Sequence, residues 1–164
     1  MATIDVIIET PKGSTQKYDY DPKKKLFELK ILPSGMIFPY DFGFIPHTKG
    51  EDGDPLDVIV ISEFNSFPGC LMNCRMIGVI KAEQSEKSGK TKLIRNDRFL
   101  AVPRYSNIFE KIKSCEDLPG KTLTELEDFF VYYNKHEGKE FYILEICGKK
   151  DAAKMLQKVG ELEE

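Results

Sequence analysis

Histidine and cysteine, the residues that most often hold zinc, are scarce in this chain. The two histidines, His47 and His136, lie far in sequence from the four cysteines. Cys70 and Cys74 make one C-x3-C spacing, Cys115 and Cys147 stand apart, and thiolate zinc sites ordinarily use tighter pairs. The thiols read as reduced and mostly buried, as in a cytoplasmic protein. A basic excess is missing too. The 24 Lys and Arg against 27 Asp and Glu leave a net charge of −3, which argues against nucleic acid as the main partner. No window approaches the roughly 18 apolar residues of a membrane span, so no membrane partner is expected. The opening "MATIDVIIETPKG" has a short apolar run broken by Asp5 and Glu9. Lacking a basic n-region and an apolar h-region, it does not read as a signal peptide. There is neither an internal repeat nor a low-complexity linker.

What is present is an ordinary globular composition: 164 residues, 41% hydrophobic and 31% charged. That suits one domain over 1–164 with a core of its own. "IDVIIE" (4–9) reads as a strand ended by Pro11 and Gly13. "KYDY" (17–20) and "LFELKIL" (26–32) read as two strands joined by the Pro-containing turn "DPKKK". Residues 33–55 hold four prolines and four glycines and read as a long structured loop, where function concentrates. Further strands are "LDVIVIS" (56–62), "LMNCRMIGVIKAE" (71–83) and "DRFLAVP" (97–103), the last two joined by a polar hairpin around Ser88-Gly89.

Helical signals come late. Thr122 with Glu125 and Thr124 with Glu127 have capping-box spacing, Leu123, Leu126, Phe130 and Tyr133 form a stripe, and Gly138 is a stop. "KEFYILEI" (139–146) reads as a strand apolar on both faces and therefore buried. "DAAKMLQKV" (151–159) reads as a short terminal helix. Many short strands followed by a helix, one more strand and a helix indicate an α+β fold, mainly β, with a small barrel at its centre.

The chemistry is concentrated in "GEDGDPLDVIV" (50–60), which places Asp52, Asp54 and Asp57 around Gly53 and Pro55. One Asp there would be a turn cap. Three crowded carboxylates repel one another and call for a cation. An EF-hand register fails, since Asp57 falls where glycine is needed and the following "VIVI" is strand-like. Carboxylates without imidazole or thiolate point to a hard ion, Mg²⁺ or Mn²⁺, of the kind that serves a phosphate. The aromatics Phe129, Phe130 and Tyr132 read as packing, His47 as a loop residue, and the lysine runs 23–25 and 149–150 as solvated turns.

"IETP", "KYD", "FPYDFGFIPHT", "DGDPLDV", "GVIK" and "FFVYYN" follow one another from about Ile7 to Tyr142, and in this order the chain resembles the soluble family I inorganic pyrophosphatases. The resemblance implies a compact, closed, five-stranded barrel of OB-like shape flanked by helices. It implies Mg²⁺-dependent hydrolysis of pyrophosphate and a homo-oligomer, commonly a hexamer in bacteria. Carried over residue by residue, Asp52 and Asp57 would ligate metal, Asp54 would take the proton from the attacking water, and Glu9 would hold metal-bound water. Lys17, Lys30 and Tyr133 would contact phosphate.

Departures from the family pattern fall at the same place. Lys30 stands for an arginine, Phe38 and Phe42 for tyrosines, Asp19 for a glutamate and Asn134 for a lysine. Gln84 and Asn96 align with two aspartates and Arg98 with a lysine that would face phosphate. Asp97 and Glu83, each one residue away, are the candidates to replace the lost metal ligands, provided a bulge turns them inward. The expected activity is phosphoanhydride hydrolysis. The alternative is a non-hydrolytic relative that binds phosphate or a partner.

Overall fold

The computed structural model describes residues 3–85 and 92–162. Among these, the strands are β1 (Thr3–Thr10), β2 (Lys17–Asp21), β3 (Leu26–Lys30), β4 (Asp41–Phe44), β5 (Asp57–Val60), β6 (Leu71–Ser85), β7 (Leu93–Arg95), β8 (Arg98–Pro103) and β9 (Phe141–Gly148). A 3-10 turn at Cys115–Asp117 precedes helix α1 (Gly120–His136), and α2 (Lys149–Leu162) follows β9. Strands β1, β4, β5, β8 and β6 pair in that order, and β6 pairs back onto β1, closing a ring of five. All these pairings are antiparallel except β5 with β8. The ring is mainly β and flanked by two helices, as the patterning indicated.

Closure explains why "DVIVI" and "FLAVP" are apolar without alternation. Val58, Val60, Phe99 and Ala101 join Val6, Ile8 and Val79 in one buried cluster. Their neighbours Ile59, Ile61, Leu100 and Val102 join Ile77, Leu126 and Phe130 in another. A strand covered on both faces needs apolar residues at every position. The 15-residue β6 is long enough to pair with four strands: its first part pairs β1, its middle β8, and its end β9 and β7.

Several elements differ from the sequence reading. β4 lies inside the expected loop. It is only four residues long, and Gly43 within it lets β1 come so near that a Cβ there would sit 2.3 Å from the Ile7 carbonyl oxygen. Four residues between prolines are too few to show a period. Helix α1 starts at Gly120 behind Pro119, not at the Thr/Glu pairs, and the Thr124 hydroxyl donates back to the Gly120 carbonyl. Its stop is as expected: Gly138 adopts φ +75° and the Lys139 N–H donates to the Asn134 carbonyl at 2.8 Å. β9 is not buried on both faces: Phe141 and Ile143 pack into the core, while Tyr142 and Leu144 on the other face are half exposed. Helix α2 starts at Lys149 directly off β9. The tip of the hairpin at Ser88-Gly89 lies outside the described residues. All four cysteines are free, and three of them are buried.

Candidate active site

One cleft, about 440 Å³, opens where the acidic loop enters β5, bounded by the β2–β3 hairpin, the end of β6, the start of β8 and the C-terminal turn of α1. A narrower recess of about 100 Å³ continues inward between Glu9, Lys17, Asp57, Arg98, Phe130 and Tyr133.

The loop is built by its own aspartates and glycines. Asp52 accepts the Asp54 N–H at 3.0 Å, the Gly50 N–H donates to the Asp54 carbonyl at 2.7 Å, and Gly53 turns at φ +88°. Asp52 therefore does cap backbone, as a lone Asp would. That same turn leaves Asp52 and Asp54 exposed and sends Asp57 down into the cleft as the first residue of β5. Parallel pairing sets Asp57 opposite Arg98, and the Arg98 guanidinium reaches its carboxylate at 3.4 Å. Arg98 is buried, donates to the Asn96 carbonyl at 2.9 Å, and lies 4.8 Å and 5.3 Å from the ring centres of Phe130 and Phe141. Held between two rings, it is a fixed cation and not a mobile one.

Opposite stand β1 and β2. Glu9 accepts the Tyr20 N–H at 2.8 Å. Lys17 lies 3.5 Å from Asp19 and 5.1 Å from the Tyr133 ring centre. Tyr133 is brought there by the helical stripe, one turn beyond the core residue Phe130. The electrostatics are those of a site built for a cation. Burial lifts Glu9 to about 7, with Asp57 and Asp19 nearby acting in the same sense and the Tyr20 N–H against it. Burial likewise lifts Asp57 to about 6, against the pull of Arg98 and with the push of Asp52 and Asp54. Asp52 is raised by partial burial and by Asp54 beside it. Burial works to lower Lys17, but Tyr133 and Asp19 outweigh it and hold the amine above its ordinary value.

Six carboxylates (Glu9, Asp19, Asp52, Asp54, Asp57, Glu137) face three cations (Lys17, Arg98, Lys139) around this cleft. Among the described residues no three His, Cys, Asp or Glu side chains converge enough to enclose a metal by themselves. Separated, desolvated carboxylates around an open space fit a hard divalent ion that keeps several of its waters. They do not fit a closed, dehydrated site.

The structure thus gathers Glu9, Lys17, Asp52, Asp54, Asp57, Arg98 and Tyr133 on one cleft, seven of the residues the sequence singled out. It does not bring three others there. Lys30 stands opposite Lys17 in the hairpin register, but its amine lies 3.5 Å from Glu28, outside the cleft lining. Asp97 is held by Arg95 at 3.0 and 3.1 Å and accepts the Ala82 N–H, and it lines an adjoining depression with Asp52, Asp57 and Asn96. Glu83, opposite Arg95 and Tyr142, is not among the lining residues. Asp19 was named only as standing for a glutamate at the site, and its place two residues from Lys17 on the same strand face puts it on the cleft; Glu137 and Lys139 were missed. Glu137 and Lys139 flank the Gly138 turn, which nothing in their own types would mark.

A family model described as "Inorganic pyrophosphatase" matches residues 6–163. The chain is 38% identical to an inorganic pyrophosphatase of Synechocystis, over 96% of this chain and 88% of that one. It is 34% identical to one from Geobacillus stearothermophilus, over 93% and 89% respectively. The solved inorganic pyrophosphatase of Thermus thermophilus superposes with a TM-score of 0.89 at 28% identity, over 98% of this chain and 91% of that one. With the barrel, the acidic loop and the match running over nearly its whole length, this chain belongs to the soluble family I inorganic pyrophosphatases.

Proposed function

We propose that the chain hydrolyses inorganic pyrophosphate to two orthophosphates with the help of Mg²⁺, for which Mn²⁺ can substitute. Family membership supports the reaction. The observation that carries the site assignment is the single cleft in which two desolvated carboxylates, Glu9 and Asp57, face the fixed cations Lys17 and Arg98.

Asp52, Asp57, Asp54 and Glu9 are the residues to hold the cation. A divalent ion held there supplies charge neutralisation and a more acidic water. Asp54, exposed at the Gly53 turn, accepts a proton from the attacking water. As that proton leaves, the water oxygen bonds to one phosphorus and the bridging P–O bond breaks, the electron pair leaving with the second phosphate. Lys17, Arg98 and the Tyr133 hydroxyl meet the phosphoryl oxygens, whose spread charge needs fixed donors. The Tyr133 hydroxyl is buried with the Lys17 amine as its near neighbour, and a phosphate oxygen would bridge the two. Lys30 contributes at longer range. Asp97, on the adjoining depression, and Glu83 act as outer carboxylates, not as direct ligands.

We further propose a homo-oligomer, a hexamer in the first place, working in the cytoplasm with neither nucleic acid nor membrane as partner. Apolar side chains left in water support the assembly: Ile31, Ile108 and Tyr105 are 90%, 72% and 70% exposed. Among the described residues no helix is long and apolar enough to cross a membrane. A non-hydrolytic phosphate- or partner-binding role is the lesser reading, since such a role has no need of a self-repelling carboxylate set around Asp54. The deciding experiment is phosphate release from pyrophosphate with Mg²⁺ and with excess chelator, beside an Asp54→Asn variant. Metal-dependent release that collapses in Asp54→Asn is expected, and release that persists in chelator would overturn the proposal.

A further inference from the structure

The three cations of the cleft are not equally free. Lys17 lies 3.5 Å from Asp19, and Arg98 lies 3.4 Å from Asp57 between two aromatic rings. Lys139 lines the same cleft but is paired with no carboxylate among the described residues. Its backbone is nevertheless fixed. Gly138 turns at φ +75°, the Lys139 N–H donates to the Asn134 carbonyl at 2.8 Å, and β9 begins soon after at Phe141. The half-buried side chain therefore leaves a rigid base with its charge uncommitted.

The wall on which it stands is otherwise hostile to an anion. Tyr133 lies in the last turn of α1, whose carbonyl end carries a partial negative charge, and Glu137 follows it on the same cleft. Glu137 is near enough to act on both Lys17 and Tyr133. A phosphoryl group that meets the Tyr133 hydroxyl is thus opposed by the helix end and by a carboxylate. Asn134, the next residue, brings no charge, and its buried amide is turned back on the helix, donating to the Phe130 carbonyl at 2.8 Å. Lys135 and His136 in the same turn are exposed and do not line the cleft.

We propose that Lys139 is a substrate-binding residue: its ammonium meets the phosphoryl group that lies toward the end of α1, offsets Glu137 and the helix end there, and sets how tightly pyrophosphate is held without setting the rate of the chemical step. An ammonium on a flexible stem is a point charge that follows its anion, so it favours bound substrate and transition state alike. Such uniform binding is read in KM and not in kcat. The inference rests on the reading of this cleft as the pyrophosphate site, which the wild-type protein tests separately.

The test is steady-state kinetics with pyrophosphate at saturating Mg²⁺. Wild type, Lys139→Gln, Lys139→Arg and the charge control Lys135→Gln are compared, with thermal unfolding of each as a check of the fold. Lys139→Gln is expected to raise KM about tenfold with kcat within about twofold, and to weaken product inhibition by orthophosphate by a similar factor. Its kcat/KM is also expected to fall less steeply with added salt, since one screened attraction is gone. Lys139→Arg keeps the charge and is expected to stay within about threefold of wild type, and Lys135→Gln within about twofold. An unchanged KM in Lys139→Gln, a loss confined to kcat, or an equal rise in KM in Lys139→Arg or Lys135→Gln would overturn this inference and leave the proposed function standing. A wild type that releases no phosphate with Mg²⁺ would overturn both.

Discussion

Glu63 and Glu9 are the same residue in opposite conditions. Glu63, between β5 and β6, accepts the Ser106 hydroxyl at 2.6 Å and the N–H groups of Asn107 and Ile108 at 2.8 and 2.9 Å. Those bonds hold its carboxyl down at about 2. Asp117 is held low in the same way by the Lys113 and Ser114 N–H groups. Glu9 has one backbone donor and a buried, acid-rich surround, and stands at about 7. The same contrast separates the buried Arg75, which donates to the carbonyls of Ile112, Phe109 and Glu110, from the unpartnered side-chain oxygen of Gln84 on the cleft. Glu63, Asp117 and Arg75 serve the fold and are satisfied by it, whereas a polar group left short of partners on the cleft is open to a ligand.

The comparison breaks first, and most visibly, at the acidic loop. Asp57→Ala at saturating Mg²⁺ is expected to lower phosphate release by on the order of a thousandfold, the scale of several kcal/mol of lost charge stabilisation. Glu63→Ala removes the same charge but is expected to lower the melting temperature while leaving phosphate release within about twofold. Equal losses of activity in the two variants would show that the two carboxylates do not differ as argued.

A smaller effect separates the two lysines of the hairpin. Lys17→Ala is expected to reduce kcat/KM by about tenfold or more, whereas Lys30→Ala, outside the cleft, changes it by about threefold at most. Steady-state kinetics with pyrophosphate decides. A larger loss at Lys30 would mean that the hairpin closes over substrate.

The pH dependence of stability without added metal sharpens the contrast further, because the signs are opposite. Glu9 is raised in the folded chain, from 4.5 to about 7. Its stabilising contribution is complete below about pH 4.5 and is lost as pH rises through about 7. Glu63 is lowered, from 4.5 to about 2. Its contribution is present above about pH 4.5 and is lost as pH falls through about 2. Metal-free melting temperature is therefore expected to decline between pH 5 and 8, the decline being shallower in Glu9→Gln and reversed by Mg²⁺. A melting temperature flat over that range in both proteins would refute the assignment.

The smallest change is expected at the rearranged hairpin. Asp97→Ala should raise the Mg²⁺ concentration for half-maximal activity only a few-fold, since Arg95 already holds that carboxylate. Glu83→Ala should leave it unchanged. A tenfold shift in Asp97→Ala would make it a direct ligand.

The amino-acid sequence by itself determined the cation chemistry and most of the architecture. Three aspartates around Gly53 and Pro55 can only crowd charge, whatever surrounds them. Runs such as "DVIVI" and "FLAVP" specify strands covered on both faces, and the Phe130–Tyr133 stripe specifies which side of a helix meets them. The local pattern is strong there because each residue's surroundings follow from its neighbours in the chain. The tertiary structure alone decided which charges meet. Asp57 and Arg98 are 41 residues apart and touch only because β5 and β8 pair in parallel. Lys139 reaches the cleft only through the turn at Gly138. Asp97 is turned to Arg95 and the Ala82 N–H, while Gln84 and Asn96 take the places on the cleft wall. A shift of one residue in a strand exchanges its two faces, and the composition of the hairpin is the same for either choice. Register is set by long-range pairing, and so the identity of the polar groups on that wall was not written in any local stretch of the chain.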